Sequence, residues 1–165
     1  MSKEYWQYRA ADFLCHALPR RFLYGVGALL ADHFYRTDTR GRNAVISNLR
    51  QIHTHAGRQP TQDQFNREAR ETFHNFGKYL VDFFRFTEIN GSAIPNLVRI
   101  EHPEYIQEAV SEGRGVLAVS SHLGNWELGG ALLAQMGYTV NVVVLPMKDK
   151  RTNALFQSRR ERRGF

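Results

Sequence analysis

Residues 113–127 read GRGVLAVSSHLGNWE, and the fold class turns on how this stretch is parsed. The apolar run 116–119 is bounded by Gly115 on one side and by Ser120, Ser121 and His122 on the other; Gly124 and Asn125 follow, and a helical pattern resumes. That order predicts strand, loop, helix. Buried strands of α/β sheets read as continuous apolar runs, and ligands gather beyond their carboxyl ends, so His122 falls where such folds place chemistry. Glu127 lies five positions further on. Five steps along a helix turn a side chain about 140° away, so the two cannot face each other on one continuous helix. With His122 in the loop and Glu127 in the first turn of the helix, the carboxylate can reach back to the imidazole. It would hold the ring tautomer and stabilise the imidazolium formed when the other nitrogen takes a proton. The spacing suits a general base with its orienting group.

Working outward, a helix is predicted from about 125 to 136, with Gly129, Gly130, Ala131 and Ala134 letting it lie close to a sheet. A second strand is predicted at 140–145. Strand, helix and strand with a short connection make a right-handed parallel crossover, so the fold class expected here is α/β, an αβα layer arrangement. A short strand at 97–100 and a helix opened by His102-Pro103 precede this unit, and a basic helix ending at Gly164 follows it. Two or three strands are fewer than the roughly five or more of an open sheet of this class.

The first part of the chain, 1–96, reads as helical. Residues 5–35 form two helices broken at Pro19, with Trp6, Phe13, Leu14, Leu18, Phe22, Leu29, Leu30 and Phe34 on a broad apolar face beside Arg9, Arg20 and Arg21. Such a face either packs on the rest of the protein or rests at a lipid headgroup interface. A helix over 38–52 ends at His53 and His55, two ligands where zinc needs three or four, so no metal site is expected. Thr61 and Gln64 have capping-box spacing and open the most periodic helix, with Phe65, Ala69, Phe73, Phe76, Leu80 and Phe83 or Phe84 on one face. That stripe suits a core or, in part, an apolar ligand groove.

The 165 residues are 42% apolar, enough for a real core. The single cysteine, Cys15, permits no internal disulfide, and nothing requires an oxidising compartment. No run approaches the roughly 18 apolar residues of a membrane span, and the first residues, MSKEYWQYR, lack a secretory signal's apolar core. Membrane association is therefore expected to be peripheral. Charge is uneven: 148–163 carries seven Lys or Arg against two acids, a net +5 of the chain's +6. This end suits an anionic partner.

The string Gly-Arg-Gly-Val-Leu followed by His122-Leu-Gly-Asn-Trp-Glu127 resembles the lysophospholipid acyltransferase superfamily, and within it the lipid A late acyltransferases, the lauroyl and myristoyl transferases. Arg42-Asn43, Asn48-Leu49, Pro146, Asn153 and the Arg160-x-x-x-Gly164 element extend the resemblance along nearly the whole chain. It implies an O-acyltransferase with His122 and Glu127 as catalytic residues and Gly124, Asn125 and Arg160 as substrate-binding residues. The donor would be acyl carrier protein or acyl-CoA, and the acceptor a hydroxyl of a lipid A precursor or related glycolipid. The expected place is the cytoplasmic face of the bacterial inner membrane. The family continues beyond the point where this sequence stops, so 97–165 is expected to be the first part of the α/β core.

Acyl transfer to a hydroxyl needs a base and donors for the tetrahedral oxyanion. It needs no cofactor, because the thioester donor is already activated. Ser120 and Ser121 invite a serine-hydrolase reading, but neither lies in a G-x-S-x-G elbow. The readings from other classes are a non-catalytic lipid- or carrier-binding fragment and a nucleic-acid binder. The second lacks aromatics interleaved with the C-terminal arginines, so no nucleic acid is expected.

Overall fold

The computed structural model describes residues 3–85 and 98–164, which hold seven helices and no strand. The chain divides into two compact units on either side of Arg85. In the first, α1 (Lys3–Ala17), α2 (Arg20–Thr37), α3 (Thr39–His55) and α4 (Gln62–Arg85) pack together, with α4 touching the other three. Pro19 stands as the N-cap of α2, which accounts for the break before it. Asp38 both ends α2 and caps α3, its carboxylate accepting from the Gly41 N–H at 2.8 Å. The capping box at α4 forms: Thr61 Oγ1 accepts from Gln64 N–H at 3.3 Å, and the Gln64 side chain accepts from Thr61 N–H at 2.7 Å.

The core of this unit is Cys15, Leu23, Ala31, Phe65, Ala69, Val81, Phe83 and Phe84. Phe76, expected on the buried stripe of α4, is 53% exposed and stacks on Tyr79 one turn on. Its neighbours explain this. On α4 the start meets α3, where His53 touches Phe65, the middle meets α2 at Gly77, and the end meets α1, where Tyr8 touches Phe84; Phe76 is turned away from these contacts. His53 is a structural residue. Its Nε2 lies 2.7 Å from Glu68 Oε2, tying α3 to α4.

Helices α2 and α4 approach through Gly27 and Gly77. A Cβ on Gly77 would lie 2.9 Å from the Gly27 carbonyl oxygen, whereas one on Gly27 would meet its nearest atom at 3.5 Å. Two polar clusters flank this contact. Asp82 accepts from Tyr24 Oη at 2.7 Å and from Arg20. Asp32 binds Arg70 through both oxygens, at 2.6 and 2.7 Å, and His74 Nε2 at 2.6 Å. Arg70 and then His74 hold the Asp32 carboxyl well below the usual carboxylate range.

In the second unit the helices are α5 (Glu104–Ser111), α6 (Trp126–Gln135) and α7 (Lys150–Glu161). The predicted strands are not formed among the described residues: 116–119, 140–145 and 98–100 have no ladder, and Leu97 lies outside the described residues. An apolar run becomes a strand only when a neighbour takes its N–H and C=O groups, and none does so here. Leu117, Val119, Val143 and Leu145 are each at least 88% exposed. Gly129, expected to press against a sheet, has open space around its Cα. The α/β expectation is thus corrected to a helical architecture over the described residues, with two exposed apolar segments outside regular secondary structure on either side of α6. The turn expected at 90–95 lies outside the described residues.

Gly77→Ala should destabilise the first unit by about 1–3 kcal/mol, while Gly27→Ala should be neutral or slightly stabilising. Urea denaturation followed by far-UV circular dichroism would reveal that asymmetry. Asp32→Asn should lower the melting temperature at neutral pH. Because the folded Asp32 pKa is depressed, its contribution is full above the unfolded carboxylate pKa of about 4. The gap between variant and parent should therefore close as pH falls below that value.

Candidate active site

The loop that carries His122 runs from Ser120 to Asn125, and every side chain from 120 to 123 is exposed. Asn125 ends it as the N-cap of α6, its Oδ1 accepting from the Leu128 N–H at 3.1 Å. This cap satisfies one of the orphan donors of the first turn and sets where the helix begins. Asn125, expected to bind substrate, therefore has a structural task. Gly124 has φ +67° with nothing within 4 Å of its missing Cβ, which suits a left-handed turn residue beside open space.

His122 has φ +56°, a conformation costing a non-glycine residue about 1–2 kcal/mol. Its ring lies on Trp126, with centroids 4.8 Å apart and planes tilted by 46°. Among the described residues it makes no hydrogen bond. Ser120 and Ser121 do not bond to it either, so no serine–histidine pair is assembled.

Glu127 is in the first turn of α6 and is 6% exposed. Its expected partner was His122; its observed partner is Arg160, in the last turn of α7. Arg160 Nη2 donates to Oε1 at 2.6 Å, and Nε reaches both oxygens at 3.1 Å. Helix ends favour this pairing. A carboxylate complements the N-terminal dipole of α6, and a cation the C-terminal dipole of α7. The fork geometry of guanidinium matches a carboxylate in two bonds, as an ammonium would not. Removing one partner would strand a charge largely out of water, at about 3–5 kcal/mol.

The arrangement thus brings Glu127 and Arg160 together and leaves His122 in contact with Trp126, the residue before Glu127. The Trp126 contact and the Glu127–Arg160 bond were missed in the sequence. The first leaves a trace in the four-residue spacing of His122 and Trp126; the second spans 33 positions and leaves none. Asn153 is also explained: its Oδ1 accepts from the Met147 N–H at 3.0 Å, tying the segment before α7 to its first turn. Asp149 caps that helix through the Thr152 N–H at 2.8 Å.

The family described as bacterial lipid A biosynthesis acyltransferase matches the chain over residues 1–165. The chain belongs to that family. No curated protein and no solved structure matches it. Membership carries acyltransferase chemistry in general, with an acyl donor and a lipid acceptor.

Asn125→Ala should destabilise α6 by about 1 kcal/mol, and Asn125→Asp should retain the cap. Amide hydrogen exchange at the start of α6 would report it, as faster exchange in the alanine variant alone.

Proposed function

We propose that the chain acts in O-acyl transfer of the late lipid A type, moving a lauroyl- or myristoyl-class chain from acyl carrier protein or acyl-CoA to a hydroxyl of a lipid A precursor or related glycolipid. The observation that carries this reading is His122, exposed in a strained loop directly before a helix whose first turn buries Glu127, in a chain of this family. In the reaction His122 takes the proton of the acceptor hydroxyl, whose oxygen attacks the thioester carbonyl. Collapse of the tetrahedral intermediate expels the thiolate, which receives the proton. Glu127 stabilises the imidazolium between these steps. Backbone N–H groups at the start of α6 supply donors for the oxyanion.

The reaction is proposed to occur at the cytoplasmic face of the inner membrane, with the chain bound peripherally. No described helix is long and apolar enough to cross a membrane. Support for surface binding comes from α2, where Phe22 and Leu29 lie two turns apart and are 58% and 72% exposed, and from Phe13 on α1, 71% exposed. Arg21 is exposed beside them, whereas Arg20 is committed to Asp82. The non-catalytic reading, a lipid- or carrier-binding fragment, draws its support from the same exposed apolar residues and from the engagement of Glu127 by Arg160.

His122→Ala should lower transfer of a labelled acyl group from acyl carrier protein to a lipid A precursor by about 100- to 10,000-fold with folding intact. Unchanged turnover would refute the base assignment, and no turnover in the parent chain would favour the non-catalytic reading. Phe22→Asp with Leu29→Asp should weaken liposome sedimentation by at least about tenfold without lowering the melting temperature.

A further inference from the structure

The carboxylate that should serve His122 is held by another residue. Glu127 is 6% exposed and takes two-pronged hydrogen bonds from Arg160, while His122 rests on Trp126. We propose that the Glu127–Arg160 clasp is a latch opened by a phosphate group of the incoming substrate. Arg160 exchanges the carboxylate for the phosphate, and Glu127, released, draws the imidazole off Trp126 and completes the base.

Three observations converge on this exchange. Guanidinium binds carboxylate and phosphate through the same fork, so one can replace the other without a change of donor geometry. The side chain of Arg160 is 21% exposed against 6% for Glu127, so an anion reaches the pair from the arginine side. The surrounding stretch 148–163 has a net charge of +5, with Arg162 exposed and Arg159 half-buried, which raises the local concentration of anions. A bare carboxylate left behind would be costly in this setting, and the nearest unbonded partner along the chain is His122. Leaving the left-handed conformation relieves strain at His122 as it moves. The latch rests on the acyl-transfer reading for its purpose, since it would keep the base unassembled until a substrate phosphate is in place.

The test uses the full chain carrying Trp6→Phe, so that Trp126 is the remaining tryptophan. An imidazole in close contact with an indole, as His122 is with Trp126 at 4.8 Å between centroids, quenches its emission. Titration with inorganic pyrophosphate should raise Trp126 emission saturably, and sodium chloride at matched ionic strength should not. Coenzyme A and glucosamine 1-phosphate, as donor-side and acceptor-side phosphates, distinguish the source by which one opens the latch at lower concentration. Glu127→Gln should lose the emission response, because no carboxylate remains to draw the ring away. Arg160→Lys should lose most of it, and Arg160→Gln all of it, starting from already raised emission where that chain folds by circular dichroism. A flat pyrophosphate titration in the parent, or an undiminished response in Arg160→Lys or Glu127→Gln, would overturn the latch. If His122→Ala abolishes transfer while the titration is flat, the latch fails and the acyl-transfer reading stands; a saturable response in a chain without transfer supports the latch alone.

Discussion

A carboxylate taken out of water must find positive charge or donors nearby, and in the second unit that requirement is met by Arg160. Once Glu127 is buried in the first turn of α6, the last turn of α7 has to lie against it. Ala131 and Leu132 on α6 and Leu155 and Phe156 on α7 are buried as well. Gly164, just past α7, comes so near α6 that a Cβ on it would meet Ala134 at 3.2 Å. The ion pair thus ties the first turn of α6 to the last turn of α7.

The first unit solves a different problem. Its four helices are joined by backbone proximity and by polar ties across the contact between α2 and α4. Gly27 and Gly77 let two backbones approach, and Asp32 and Asp82 gather arginine, histidine and tyrosine from both sides. Much apolar surface is left outside this packing, including Phe13, Phe22, Leu29 and Phe76. A helical unit that closes its core with Phe65, Phe83 and Phe84 yet keeps these residues exposed has more apolar surface than its own fold uses.

What was legible in the sequence was local. The break at Pro19 and the capping box at Thr61 act within four residues of themselves, and α2 and α4 begin where they say; the helices expected from about 38 and 125 also begin there, where the structure shows Asp38 and Asn125 as caps. His122 in a loop before a helix was legible for the same reason. The strands were not, because a strand is a relation between two segments; the runs at 116–119 and 140–145 have the right residues and no partner among the described residues. The role of Arg20 was misread similarly. It looks like a basic flank of an apolar helix, but its ion pair is with a residue 62 positions away.

The same distinction bears on the candidate site. His-x-x-x-x-Glu is a local pattern, and it correctly places the acid in the first turn after the histidine loop. Which base the acid serves is decided by what else lies within reach, and a guanidinium offering two bonds competes better for a buried carboxylate than an imidazole offering one. With Arg160 present, the ground state must favour the clasp unless something else occupies the arginine. Catalysis by His122 and Glu127, as proposed above, therefore calls for a second anion on Arg160, and the basic stretch that contains Arg160 is the part of the chain best suited to attract one.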